Sequence, residues 1–206
     1  MNHWLQLLLE QIRETGWLQW VAVFFGVAEV LLAKRNNVLL YPAGLIGTLL
    51  SIVLLLEVKL YAETLLNIYY IVISIYGWWF WAKKRNKPAV PITYADKKDW
   101  LITLLITFGG WLVLYLVLKN FTPSNVPVWD AFVSASAWAG TWLLTRRKIE
   151  NWLVLNLSNL FAVPLLFYKN LPLFALLTLF LFVVAIFSYF DWKKIYQQQG
   201  KTNSSP

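Results

Sequence analysis

The chain has 206 residues, of which 59% are hydrophobic and 14% are charged. Soluble domains are about 45–50% apolar and about 25% charged, so the composition excludes an ordinary soluble domain. The net charge of +8 arises from basic residues in short loops between apolar runs, which indicates membrane topology rather than nucleic-acid binding. With no cysteine, one histidine (His3) and no phosphate-binding lysine motif, the sequence predicts neither an enzyme nor a bound cofactor or metal.

The first 16 residues mix leucines with Glu10, Arg13 and Glu14. This pattern is typical of an amphipathic helix that lies on a membrane surface. The segment has neither the basic start nor the small-residue cleavage site of a signal peptide. We therefore predict an interfacial helix at residues 1–16.

Seven apolar segments follow, each of a length near the roughly 20 residues that cross a bilayer. They are Trp17–Leu32, Val38–Leu56, Leu60–Trp81, Trp100–Leu118, Val128–Leu144, Asn151–Tyr168 and Pro172–Phe190. Tryptophans such as Trp81, Trp129 and Trp192 cluster at their ends, as in the aromatic belts of membrane proteins. The predicted fold class is an all-α integral membrane protein with seven transmembrane helices. Its membrane domain covers residues 17–194, and the polar residues 195–206 form a disordered tail.

Loop charge predicts the orientation. The strongly basic loops follow segments one, three, five and seven, whereas the alternate loops contain single lysines, namely Lys59, Lys119 and Lys169. Because basic loops stay in the cytoplasm, we predict an external N-terminus and a cytoplasmic C-terminus.

Segments one to three resemble segments five to seven. Residues 31–35 match residues 143–147 at an offset of 112, and Tyr76 matches Tyr189 at an offset of 113. This similarity predicts two parallel three-helix repeats, residues 17–81 and 128–190, which a linker helix at residues 100–118 connects. Transporters with such repeats bind the solute near mid-membrane, between the repeats.

Three asparagines, Asn67, Asn156 and Asn159, lie in the middle of apolar segments. A buried amide without hydrogen-bond partners costs several kcal/mol. The asparagines therefore line a polar passage, or they only join helices through bonds worth about 1 kcal/mol each. Aromatic and acidic residues on the same helical faces favour the passage.

Helical spacing collects the candidate residues on a few faces. Trp152 shares a face with Asn156 and Asn159, and Glu63 and Ser74 flank Asn67 and Tyr70 on another. Aromatic rings, carboxylates and amides together suit a flat organic cation that carries hydroxyl groups. The predicted substrate-binding residues are Glu29, Asn67, Tyr70, Trp138, Trp152, Asn156 and Asn159.

Four motifs resemble the bacterial Pnu family of vitamin transporters, which are relatives of the SWEET sugar carriers. They are Lys59–Asn67, Ile75–Trp79, Trp129–Asp130 and Thr145–Leu153. The resemblance implies uptake of nicotinamide riboside across the bacterial inner membrane by facilitated diffusion, with intracellular phosphorylation trapping the vitamin. It also implies substrate contacts for Asn67, for Trp152 as the first tryptophan of a WxxW pattern, and for Asn159.

One departure from the family pattern leaves the identity of the substrate undecided. Leu155 stands where the second tryptophan of that pattern is expected, and a related branch of the family carries thiamine. Both vitamins contain a cationic ring, so thiamine is the first alternative. A second alternative is a membrane interaction protein without transport activity. The expected partners are a vitamin and the lipid bilayer, not nucleic acid, and the sequence leaves homo-oligomers open.

Overall fold

The computed structural model describes residues 3–57, 61–82 and 90–202, and every regular element within these ranges is a helix. This confirms the prediction of an all-α protein. The helices are α1 (His3–Glu14), α2 (Trp17–Lys34), α3 (Leu40–Glu57), α4 (Tyr61–Ala82), α5 (Lys97–Leu104), α6 (Gly110–Phe121), α7 (Pro127–Thr145), α8 (Asn151–Tyr168) and α9 (Pro172–Thr202). A π-helical turn, Leu105–Gly109, joins α5 to α6, so that 97–121 forms one continuous linker helix.

Among the residues that the structure describes, five helical segments are long and apolar enough to cross a membrane. They are Trp17–Lys34, Leu40–Glu57, Lys97–Phe121, Asn151–Tyr168 and Pro172–Gln199. The two other predicted spans correspond to α4 and α7, which have 22 and 19 residues and carry more polar and aromatic side chains. Large apolar side chains such as Phe24, Leu112 and Phe187 are exposed on the outside of the bundle, as a lipid-facing surface requires.

Six helices form a closed ring. In the first half of the ring, α2 packs on α3 and α3 packs on α4; in the second half, α7 packs on α8 and α8 packs on α9. The ring closes because α4 contacts α7 and α9 contacts α2. The linker helix packs outside the ring against α7, and α1 packs against α9.

The helices of the two halves coincide when residue numbers are shifted by 111. The bounds of α3 then become those of α8, and α4 begins where α9 begins. The turns that follow α2 and α7 also match, since Asn36 and Arg147 both have left-handed backbone conformations, with φ of 52° and 55°. The shift is slightly smaller than the 112 and 113 obtained by matching residues, because that comparison aligned basic side chains rather than turn positions.

One end of the ring, which we call the basic end, contains the turns 35–39 and 146–150. A buried aromatic core lies there, in which Tyr41, Trp152 and Trp192 are at most 2% exposed and Trp81 is 6% exposed. The interpretation of Trp81 and Trp192 as membrane-belt residues is therefore wrong. Their rings point into the bundle and pack against one another.

The first and last helices, α1 and α9, extend beyond the two ends of the ring. Gln11 of α1 donates a hydrogen bond to the carbonyl oxygen of Asn170 and accepts one from the amide of Leu173, which fixes α1 at the end opposite the basic end. At the basic end, α9 continues to Thr202. The expectation of a disordered tail is wrong up to that residue, since the ring of Tyr196 packs on Tyr94 at 5.0 Å. Residues 203–206 lie outside the described residues.

Candidate functional site

A polar cavity of about 250 Å³ lies in the first half of the ring, between α2, α3 and α4. Three glycines and an alanine give it room, and a carboxyl, an amide, a phenol and three hydroxyl groups give it polarity. Its lining residues are Ala22, Gly26, Glu29, Gly44, Gly47, Thr48, Ser51, Asn67, Tyr70 and Ser74. None of these is basic. The cavity is thus suited to a ligand with a positive charge and several hydrogen-bonding groups.

The carboxylate of Glu29 lies against α3 at Gly44. A Cβ atom added to Gly44 would lie 2.5 Å from Cδ and Oε1 of Glu29, which is closer than real Cβ contacts. The sequence also allows Glu29 to pair with Lys34 or Arg35. In the structure, Lys34 forms an ion pair with Asp191 at 3.6 Å. The structure therefore brings Glu29 to the cavity, together with Asn67 and Tyr70.

The face of α4 that spacing predicted is the face that lines the cavity. Asn67, Tyr70 and Ser74 all border it, and the side chain of Glu63 lies outside the described residues. The neighbouring Tyr69 points elsewhere. Its ring stacks on Trp138 at 4.5 Å, and its hydroxyl donates to the Trp138 carbonyl oxygen at 2.9 Å. Trp138 therefore helps to hold α4 against α7.

The predicted residues of α8 do not line this cavity. Trp152 is 1% exposed and packs edge-on against Trp192 at 5.7 Å. The Oδ1 atom of Asn156 is buried without a hydrogen-bond partner. Asn159 corresponds to Thr48 under the shift of 111, and Thr48 does line the cavity. Substrate contacts of these three α8 residues stay predictions.

The cavity opens toward the end of the ring opposite the basic end. It shares Ala22, Ser51 and Asn67 with a larger cavity of about 690 Å³, which further residues of α2, α3 and α9 also border. A further cavity of about 690 Å³ occupies the matching place in the second half, where Asp130 forms an ion pair with Lys169 at 2.6 Å. Both halves are thus open at this end.

Aromatic residues close the basic end. We call Tyr41, Trp81, Trp152 and Trp192 the aromatic plug. The ring of Trp81 packs on Tyr41 at 5.3 Å and on Trp192 at 6.4 Å. Since Trp152 also packs on Trp192, all four rings form one buried cluster. The plug includes residues from α3, α4, α8 and α9 and so spans both halves of the ring.

Two indole hydrogen bonds connect the halves at the plug. Trp81 Nε1 donates to the carbonyl oxygen of Thr145 at 3.0 Å, and Trp192 Nε1 donates to that of Ala33 at 3.0 Å. The two donors are 111 residues apart, and each acceptor lies near the end of the first helix of the other half. The closure is therefore built in the same way on both sides of the ring.

The segment before the linker helix is attached to the turn after α7. The amide of Thr93 donates to the carbonyl oxygen of Arg147, and the carbonyl oxygen of Thr93 accepts from the amide of Ile149. Asp99 is buried and forms ion pairs with Lys148 at 2.9 Å and Arg146 at 3.9 Å. Sequence reasoning missed this attachment, although Asp96 and Asp99 form a capping box that could have indicated an anchored helix start.

Asp96 and Arg147, outside the membrane-spanning segments at this end, have shifted pKa values. The backbone amide of Asp99 donates to the Asp96 carboxylate at 2.7 Å, and this bond holds the pKa of Asp96 below its ordinary value. Burial lowers the pKa of the Arg147 guanidinium to about 10. Arg147 therefore stays charged at neutral pH.

Comparison with known proteins gives concordant matches. The model of the family described as nicotinamide mononucleotide transporter matches residues 16–194. The nicotinamide riboside transporter PnuC of Escherichia coli (strain K12) is 22% identical over 213 residues, which cover 91% of this chain and 89% of that protein. The PnuC protein of Shigella flexneri matches with the same identity and coverage.

A solved structure has the same fold. The crystal structure of the vitamin B3 transporter PnuC matches with a TM-score of 0.71 and 21% sequence identity. The match covers 96% of this chain and 94% of that chain. The similarity of fold therefore extends over nearly the whole chain.

Proposed function

This chain belongs to the nicotinamide mononucleotide transporter family, and on that premise we propose that it carries nicotinamide riboside across the bacterial inner membrane. The observation that carries the proposal is the polar cavity between α2, α3 and α4. Its carboxylate suits the cationic pyridinium ring, and the groups of Asn67, Tyr70 and Ser74 suit the carboxamide and the ribose hydroxyls.

The cavity chemistry favours the riboside over the mononucleotide. The mononucleotide carries an additional phosphate, whose negative charge the Glu29 carboxylate would repel. A phosphate site needs arginine, lysine or a helix N-terminus, and the residues that line this cavity include neither basic type. Thiamine also has a cationic ring but only one hydroxyl group, so it would use fewer of the polar groups.

The architecture that we propose has seven spans in a three-plus-one-plus-three arrangement. The constant shift of 111 residues between α2–α4 and α7–α9, and the ring that closes through α4–α7 and α9–α2, support two parallel repeats. The basic turns support a cytoplasmic location for the basic end and an external N-terminus. In this orientation the described conformation is open to the outside and closed to the cytoplasm.

In the mechanism that we propose, the riboside enters from the open end and binds beside Glu29. The two halves then rotate, so that the open end closes and the aromatic plug separates. Asn159 would reach the substrate from the second half, because its position corresponds to that of Thr48. Transport is passive, and phosphorylation in the cytoplasm traps the vitamin.

The test is transport by purified protein in liposomes. Labelled nicotinamide riboside should enter protein-containing vesicles and stop at equal concentrations on both sides, whereas labelled mononucleotide should stay outside. Excess thiamine measures whether the alternative substrate competes. If a pH or sodium gradient drives the riboside to a higher concentration inside the vesicles than outside, passive transport is refuted. If vesicles that contain folded, monodisperse protein take up no riboside, the alternative of a membrane interaction protein without transport activity is favoured.

A further inference from the structure

We propose that Gly44 is a specificity-determining position, because it seats the Glu29 carboxylate in the cavity and thereby selects ligands with a cationic ring over neutral ligands of the same shape. The inference rests on the proposed function and deepens it. It assigns charge selection to one contact between α2 and α3, and it assigns that selection to the first half of the ring alone.

The first argument is the space around Gly44. All three terminal atoms of the Glu29 side chain, Cδ, Oε1 and Oε2, lie 2.5–2.8 Å from the place where a Cβ atom would be on Gly44. Gly44 lies inside α3 and lacks the positive φ that would call for glycine by backbone geometry. The absence of a side chain here is therefore needed for the carboxylate and not for the helix.

The neighbouring glycines have other roles. A Cβ atom on Gly47 would approach the backbone nitrogen of Gly26 at 3.4 Å, so Gly47 lets α2 and α3 come close. A Cβ atom on Gly26 would meet nothing within 4 Å, although Gly26 also lines the cavity. Of the three cavity glycines, Gly44 is thus the one whose missing side chain is replaced by the acidic group.

The second argument comes from the other half of the ring. Under the shift of 111, Glu29 corresponds to Gly140 and Gly44 corresponds to Leu155. A Cβ atom on Gly140 would lie 2.6 Å from Cγ of Leu155. In both halves, one large side chain therefore fills the space beside a glycine at the same helix crossing. The glycine is on the second helix of the first half (Gly44) but on the first helix of the second half (Gly140).

The comparison of the two crossings distinguishes the role of the shape of the filling group from the role of its charge. Both crossings are filled, yet the filling group is a carboxylate in the first half and a leucine in the second. The counterparts of Tyr70 and Ser74 in the second half, Leu181 and Ala185, are apolar as well. The cationic end of a ligand is therefore held by the first half, and the ligand has one preferred direction in the passage.

The experiment compares nicotinamide riboside with its dihydro form, which has the same ribose and carboxamide but a neutral ring. Equilibrium binding is measured on folded, monodisperse protein. The wild type should prefer the cationic form by roughly 10- to 100-fold, the usual size of a hydrogen-bonded charge contact. Gly44→Ala should lose most of this preference, as should Glu29→Gln, and the double variant should lose no more than Glu29→Gln alone.

Two further variants serve as controls. Gly26→Ala adds the same methyl group to the same cavity without meeting Glu29. It should change the affinities for both forms alike and so keep the preference. Glu29→Asp in the Gly44→Ala background shortens the acidic side chain by one methylene. It should restore part of the preference for the cationic form. A general packing defect would produce neither the retention nor the rescue.

The outcomes separate the two proposals. Binding of neither form by the wild type overturns the proposed function and this inference with it. Binding of both forms with an unchanged preference in Gly44→Ala overturns the inference alone. If Gly44→Ala does not fold, Glu29→Gln decides, since a preference that survives removal of the charge also overturns the inference.

Discussion

The guanidinium group of Arg147 lies 3.9 Å from the ring centroid of Trp81. Arg147 follows α7 and Trp81 lies near the end of α4, so this contact joins the two halves of the ring at the basic end. A desolvated cation–π contact is worth about 2 kcal/mol, and the charge persists at neutral pH because the pKa of Arg147 is about 10. Together with the two indole hydrogen bonds, the contact holds the aromatic plug closed.

The first prediction concerns these indole bonds. Trp81→Phe and Trp192→Phe each keep an aromatic ring but leave a carbonyl oxygen of the other half without its donor, which costs about 1–3 kcal/mol. The plug should then open more often. Because the chain has no cysteine, a single cysteine at Ser74 in the cavity can report this opening. Its labelling from the basic end should become at least about fivefold faster.

Trp111 offers a matched control for that experiment. Its Nε1 donates to the carbonyl oxygen of Val128 at 3.0 Å, outside the ring. Trp111→Phe removes a bond of the same kind and should leave the labelling of the Ser74 cysteine unchanged. Equal rates in all three variants would contradict the role of the plug as a closure.

The second prediction concerns two asparagines. Asn67→Ala and Asn159→Ala should each weaken binding of nicotinamide riboside about 5- to 150-fold, since each removes a hydrogen-bonding group from the proposed passage. Asn120→Ala is the control, because Asn120 is exposed and its amide donates to the carbonyl oxygen of Leu116 in its own helix. Calorimetry on the folded fraction gives the affinities. Unchanged affinity in Asn159→Ala would mean that the second half contributes no amide contact.

The third prediction concerns Trp152. Its predicted stacking on the substrate implies a loss of affinity in Trp152→Ala, and its position in the plug implies a loss of about 3–5 kcal/mol in stability. We expect the melting temperature to fall strongly. Titration of the surviving folded protein with nicotinamide riboside then shows whether affinity falls too. Full affinity there would remove Trp152 from the binding residues and leave it to the plug alone.

The fourth prediction concerns pH. The bond from the Asp99 amide holds the pKa of Asp96 below its ordinary value of about 4. The stabilisation is therefore complete above pH about 4 and is lost as pH falls through the lower pKa of the folded state. Wild type and Asp96→Asn should differ in melting temperature at pH 6 and converge toward pH 3. A difference that is the same at both pH values would contradict this.

The fifth prediction concerns orientation. Single cysteines after Leu118 and after Tyr168 should react with a membrane-impermeant reagent added outside whole cells. Cysteines after Lys34 and after Thr145 should react only once the inner surface is exposed. Protection of the site after Tyr168 in intact cells would contradict the seven-span arrangement.

The sequence allowed the helices to be predicted because apolar runs of membrane length have few alternative structures. It also predicted the cavity-lining face of α4, since helical spacing alone decides which residues lie beside Asn67. The seat of Glu29 on Gly44 was not predictable, because it depends on how α2 is aligned along α3. The burial of Trp81 and Trp192 was missed for a related reason: a tryptophan at a helix end can face either lipid or a partner helix, and spacing does not distinguish them.

The hydrogen bonds of Thr93 fasten the start of the linker helix to the turn after α7. The second half is therefore packed against the linker helix and held by additional hydrogen bonds, so the two halves are unequally restrained despite their matching helices. In the rearrangement that we propose, α2–α4 is therefore the less restrained half. The acidic seat at Gly44 belongs to that half, so we expect the cation to be held by the less restrained part of the protein.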